Sequence, residues 1–68
     1  MFERGMTMEQ VEEMVEAEGW EILQEEEYEE DGEEWVEMTV LQEDHAVALG
    51  LDADGVYEIQ FVPLWALG

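Results

Sequence analysis

Ten of the seventeen residues from Glu21 to Glu37 are carboxylic acids, and none is basic. The stretch is not shapeless, because Trp20 precedes it and Ile22, Leu23, Tyr28, Trp35 and Val36 punctuate it. Asp31-Gly32 lies near its middle, and Asp-Gly between apolar-bearing runs is a strong signal for a tight hairpin turn. Glutamate is a poor strand former, so a strand built from it needs a neighbour. We read the stretch as a β-hairpin with a strongly negative tip, which the rest of the chain holds in place.

What the rest can supply follows from its composition. At 68 residues the chain is read as one small domain, residues 1–68, with a limited fraction of surface to bury. It has no cysteine, so neither a disulfide nor a thiolate metal site braces it, and a lone His45 makes no zinc site. Absence of cysteine also fits a reducing compartment, and we expect a cytoplasmic protein. The formal charge is −20, from 21 acids against Arg4 alone. Charge of that density opposes compaction. The apolar share of 47%, with three Trp, two Tyr and two Phe, nevertheless supports a core. A chain so negative is repelled by anionic membranes and by DNA or RNA, so direct nucleic-acid binding and membrane association are not expected.

Taken in order, Met1 to Met6 read as a loosely docked lead-in. Thr7-Met8-Glu9-Gln10 has the pattern of a capping box, and Met6 with Val11 fits a hydrophobic staple around it. A helix is predicted over 8–18, ended by Gly19 in the left-handed conformation. Met8, Val11, Met14 and Val15 form its apolar stripe. Glu9, Glu12, Glu13 and Glu16 form an acidic stripe whose i,i+4 pairs repel. Glu16 and Glu18 also sit at the end of the helix dipole that favours cations. A sequence shaped for stability alone would carry lysine there.

Four strands follow, over 20–28, 34–41, 45–51 and 56–62. In the second, Val36, Met38 and Val40 share one face, and Trp35, Glu37, Thr39 and Leu41 the other. In the third, Val47, Leu49 and Leu51 oppose Ala46 and Ala48. In the fourth, Tyr57, Ile59 and Phe61 oppose Val56, Glu58, Gln60 and Val62. Pro63 ends the strand or marks an edge. Leu64-Trp65-Ala66-Leu67 reads as a lid on the core or a dimer contact. The expected fold class is α+β: one N-terminal helix packed on a four-stranded antiparallel meander.

No catalytic constellation accompanies this fold. With 21 acids, some pair lies at any chosen spacing, so paired carboxylates carry no signal without a pocket. The chain has no serine, which excludes a Ser-His-Asp triad at His45. Asp52-Ala53-Asp54-Gly55 resembles part of a calcium loop but lacks the other ligands, and a hairpin turn accounts for it. We expect no cofactor, no metal and no enzymatic activity.

The acids themselves are the informative feature. Residues 1–34 hold 15 of them and residues 35–68 hold six. Strand residues on one face lie roughly 6.6–7 Å apart and helix-stripe neighbours roughly 5–6 Å apart, spacings similar to those of phosphates along a DNA strand. In size, charge, lack of cysteine and the runs Glu25-Glu26-Glu27, Glu29-Glu30-Asp31 and Glu33-Glu34, the chain resembles the small acidic phage-encoded proteins that imitate DNA. These include anti-restriction proteins, some anti-CRISPR proteins and uracil-DNA glycosylase inhibitors. The resemblance is one of class and carries over no individual residue. It implies an inhibitor that fills the basic channel of a nuclease, CRISPR effector, glycosylase or polymerase; the chain itself is expected as a monomer or homodimer. The expected contact residues are Glu9, Glu12, Glu13 and Glu16 on the helix, and Glu25, Glu26, Glu27, Tyr28, Glu29, Glu30, Asp31, Glu33, Glu34 and Trp35 on the hairpin. Two rival readings fit the same composition: a small domain adapted to high salt, and an acidic adaptor for a basic partner.

Overall fold

The computed structural model describes residues 1–63 and Trp65. It contains one helix, α1 (Met8–Glu18), followed by four strands, β1 (Glu21–Glu30), β2 (Glu33–Leu41), β3 (Ala46–Asp52) and β4 (Gly55–Val62). The strands form one antiparallel sheet in the order β1-β2-β3-β4, and the fold is the expected α+β meander.

Each end of the helix is fixed by its sequence. The Thr7 hydroxyl accepts from the Gln10 backbone N–H at 3.2 Å, and the Gln10 side chain accepts from the Thr7 N–H at 2.9 Å. Gly19 takes a left-handed φ of 73°, and Trp20 N–H closes the end on the Val15 carbonyl at 3.0 Å. Val11 and Val15 from α1 pack on Met38 and Val40 of β2, on Val47, Leu49 and Leu51 of β3, and on Val56 of β4. The helix therefore covers one sheet face, centred on β2 and β3. All ten residues of β1 stay exposed.

The lead-in is docked, not loose. Phe2 is 4% exposed and lies 5.5 Å from the Trp20 ring, so the first residues complete the core. Gly5 N–H donates to the Val56 carbonyl at 2.8 Å, and Val56 N–H donates to the Met6 carbonyl at 2.9 Å. This bridge explains Gly55: its φ is 104°, and a Cβ there would lie 2.6 Å from the Met6 oxygen. The pattern of apolar residues gave no signal for a two-bond bridge made by backbone.

The first hairpin is tighter than the expected strand ends, at 28 and 34, allow. Asp31 (φ 51°) and Gly32 (φ 82°) make a two-residue turn with both central residues left-handed, the conformation whose twist matches that of the flanking strands. Pairing consequently extends to Glu30 opposite Glu33, two residues further along β1 than expected. The second turn is held by the Asp52 carboxylate, which accepts from the Asp54 N–H at 2.8 Å.

Strict alternation fails in two places. In β1, Ile22 faces Val40 but Gln24 faces Thr39, so Leu23 is an extra, bulged residue. In β4, Leu51 faces Val56 and Gly50 faces Glu58, so Tyr57 is the extra residue. The second bulge corrects the expected faces: Val56 joins Ile59 and Phe61 on the helix side. Tyr57 swings to the other side and lies over Gly50, where a Cβ would come within 2.8 Å of its ring. Trp65 is 84% exposed and does not close the core; Leu64, Ala66 and Leu67 lie outside the described residues. No helix among the described residues is long and apolar enough to cross a membrane.

The docked lead-in has a measurable consequence. Phe2→Ala should lower stability by about 3 kcal/mol, the range for emptying a buried aromatic site, read from the urea midpoint at constant slope. A change below about 1 kcal/mol would mean that Phe2 is not part of the core in solution.

Candidate functional site: an acidic hairpin and the cleft beside it

The expected contact residues do not form one patch. Antiparallel partners share a face, so Glu27 opposite Val36 and Glu25 opposite Met38 fix the assignment. Glu25, Glu27, Glu29 and Glu34 lie on the sheet face that carries α1. Glu9, Glu12, Glu13 and Glu16 are exposed on that same side of the molecule. Glu26, Tyr28, Glu30, Glu33 and Trp35 lie on the opposite, open face, and Asp31 stands at the tip between the two. The bulge at Leu23 produces this split, because without it Glu26 and Tyr28 would share the face of Ile22 and the core.

Like charges face each other along the hairpin. Glu26 is opposite Glu37, Glu29 opposite Glu34 and Glu30 opposite Glu33. Directly opposed like charges destabilise a sheet, and these three pairs have no cation set between them among the described residues. On the far side of β2, His45 Nδ1 lies 2.8 Å from the Asp44 carboxylate, and that hydrogen bond holds the Asp44 carboxyl below its ordinary range. His45 also stacks on Phe61 at 4.7 Å, which gives it a structural role at the start of β3.

On the open face Tyr28 stacks on Trp35, with ring centroids 5.5 Å apart and planes 17° apart. Trp35 is thereby half-buried by Tyr28 and not by a second layer. One rung along the hairpin, Glu26 is held from two sides: the Tyr28 hydroxyl donates to it, and Gln24 donates at 2.9 Å. The Tyr28 bond, and after it the Gln24 bond, lower the Glu26 pKa. The same bond to Glu26 pushes the Tyr28 phenol up to about 12. Glu37 stands between Glu26 and Gly50 in the register of the sheet and adds negative potential at both Tyr28 and Tyr57. Burial over Gly50, followed by the charges of Glu37, Glu58 and Asp52, raises the Tyr57 pKa as well.

One depression lies on this face and another cuts through the end of the sheet, lined from the helix side by Met8, Glu34, Val36 and Leu51 and from the open side by Glu33, Trp35, Asp52 and Tyr57. The smaller, about 140 Å³, has Ala48 and Gly50 in its lining, with Gln24, Glu26 and Glu37 towards one side and Glu58 and Gln60 towards the other. The larger, about 680 Å³, opens where β2 and β3 part company. Their last ladder pair is Val36 with Leu51; beyond it Glu33, Glu34 and Trp35 diverge from Asp52, Ala53 and Asp54, with Met8 and Tyr57 also lining the gap. Sequence reasoning placed Trp35, Glu33 and Glu34 in the site but missed Tyr57, Asp52 and Asp54. Glu37 was legible, since it shares a face with Trp35 by simple alternation. Tyr57 was not, because its bulge breaks the alternation. Among the described residues no three His, Asp or Glu side chains come together as a metal-binding group.

Comparison with known proteins adds nothing to this geometry: no family model, no curated protein and no solved structure matches the chain.

The Glu26–Tyr28 bond predicts a linked pH dependence. The raised phenol stabilises the fold below its unfolded pKa of about 10, and that contribution disappears as pH rises through about 12. The lowered carboxyl stabilises above the ordinary carboxylate range and loses its effect as pH falls through its own folded value. In a Tyr57→Phe background, ultraviolet titration should therefore show Tyr28 ionising near 12. Glu26→Gln should bring that ionisation down towards about 10; an unmoved titration would show that the bond does not form. Separately, Glu33→Lys places a cation opposite Glu30 and should raise the thermal midpoint. The gain should shrink between about 0.05 and about 1 M NaCl, where the screening length drops several-fold.

Proposed function

We propose that this protein is a decoy for a nucleic-acid backbone. It acts in the cytoplasm as an acidic inhibitor that occupies the basic DNA- or RNA-binding channel of a nuclease or CRISPR-type effector and blocks it without turnover. The observation that carries this reading is the β1–β2 hairpin, where three Glu–Glu pairs stand in register, two of them next to the turn, and further glutamates line both faces of β1. Along the helix-side face of β1, Glu25, Glu27 and Glu29 repeat at roughly 6.6–7 Å, and the three facing Glu pairs stand roughly 4.5–5.5 Å apart. A channel lined with Lys and Arg for phosphates meets here a comparable density of fixed negative charge.

The mechanism is occlusion. A net charge of −20 steers the encounter over long range and speeds association at low salt. Once docked, the carboxylates pair with the cations that otherwise hold phosphates, and nucleic acid is excluded. Charge alone gives little choice between basic partners. The open face, with Tyr28 on Trp35, supplies flat amphipathic surface of the kind that anchors specific interfaces. No bond is made or broken, so no general acid, base or nucleophile is required.

Capture from bacterial lysate at about 0.1 M NaCl, with and without excess duplex DNA, tests the reading. The expected result is a basic nucleic-acid enzyme that DNA releases from the bait and whose activity the purified protein inhibits. Glu25, Glu26, Glu29 and Glu30 changed together to Lys should abolish capture while the circular dichroism spectrum persists. A captured partner indifferent to DNA would point to an adaptor, and unfolding of the free chain at 0.1 M salt would point to salt adaptation. Either result overturns the decoy.

A further inference from the structure

We propose that the cleft between the two hairpin turns is the seat for arginine side chains of the basic partner, with Trp35 and Tyr57 as the surfaces on which the guanidinium stacks. This deepens the decoy reading and rests on it, because it names the chemical group that the partner presents and the place that receives it.

The sheet face opposite α1 carries no second layer among the described residues, and at its end lies an open cleft of about 680 Å³ between the two hairpin turns, with Met8, Val36 and Leu51 on its helix side. Its lining combines two kinds of group that rarely adjoin. Trp35 and Tyr57 contribute aromatic surface, and Trp35 is held in place from behind by Tyr28 at 5.5 Å. Glu33, Asp52 and Asp54 bring carboxylates to the same opening, and Glu37 acts electrostatically on Tyr57. One side of this chemistry selects planarity and the other selects positive charge. Guanidinium meets both: it is flat, weakly hydrated, stacks on aromatic faces and forks onto carboxylates. An ammonium keeps its water and gains only Coulomb attraction. Uniform negative charge, as on α1 and the inner face of β1, draws lysine and arginine alike. The cleft is the part of the surface that tells them apart.

Pre-formation supports the assignment. The bulge at Tyr57 turns that ring onto the open face, and the absence of a side chain at Gly50 gives it a place to lie. The bulge at Leu23 turns Tyr28 the same way, behind Trp35. Two independent breaks in strand alternation therefore bring aromatic rings to one face of the sheet. Bulges often re-aim side chains beside functional sites.

The experiment measures nona-arginine and nona-lysine binding to the full chain by calorimetry at about 0.1 M NaCl. The wild-type protein should bind nona-arginine about tenfold more tightly than nona-lysine. Trp35→Leu and, separately, Tyr57→Leu should bring that ratio close to one by weakening the arginine peptide alone. The triple change Glu25, Glu27 and Glu29 to Gln, on the opposite face, should weaken both peptides in proportion and leave the ratio standing. Tyr57 is 43% exposed, so its variant keeps the test open if Trp35→Leu does not fold. Binding of both peptides with a ratio unmoved by either aromatic variant overturns the arginine seat and leaves the decoy intact. Binding of neither peptide overturns the decoy reading, and the seat with it.

Discussion

An ionised carboxylate buried without a partner costs several kcal/mol, and this chain has 21 acids against one arginine and one histidine. Every acid must keep its water. That requirement shapes the whole architecture. The core is drawn from residues that are apolar on one side only: Val11 and Val15 on the helix, alternate positions of β2 and β3, and Val56 at the start of β4. None of its buried members is polar or charged among the described residues. β1 carries acids on both of its faces, so it is placed at the edge of the sheet, where neither face is sealed. The sheet keeps one face for the helix and gives up the other to solvent. The result is a flat body, 36 × 25 × 15 Å, with its longest dimension more than twice its thickness.

So thin a core leaves little redundancy, and this explains the weight carried by short-range devices. The capping box at Thr7 and the left-handed Gly19 define the helix without any basic residue in its last turn. The left-handed pair Asp31-Gly32 fixes the register of a hairpin whose facing glutamates would otherwise drive it apart. Phe2 fills the end of the core beside Trp20, and the backbone bridge from Gly5 and Met6 to Val56 ties the chain start to β4. Each device acts through backbone geometry or one apolar contact, which the repulsion of surface charges does not weaken.

Most of the fold was legible because these local signals are chemical and sit next to one another in sequence. Thr7 to Gln10, Gly19, Asp31-Gly32 and the alternation Val36-Met38-Val40 each predict what forms. What escaped was non-local or broke the period. Phe2 is a single aromatic in a short lead-in with no period of its own, and only the packed core shows where it goes. Leu23 and Tyr57 are bulges, and nothing in composition distinguishes a bulged residue from its neighbours. The layout of the candidate site was only partly legible for the same reason. Its acids were obvious, yet their division between two faces depends on the Leu23 bulge, and Tyr57 joins the open face only through its own.

A folded polyanion differs from a disordered acidic tail in what association requires. A tail loses conformational freedom when it binds, which offsets part of the gain from each ion pair. Here the hairpin already holds its carboxylates in register, and the expense of bringing like charges together falls on the free protein as repulsion between Glu26 and Glu37, Glu29 and Glu34, and Glu30 and Glu33. A cationic partner set against those pairs relieves that repulsion as it binds. Because such a partner favours the folded arrangement over the unfolded chain, binding and folding stability are linked. The same salt that screens the partner's attraction also screens the internal repulsion. Internal repulsion and attraction for a cationic surface thus have one source, the glutamates that oppose one another on a pinned hairpin.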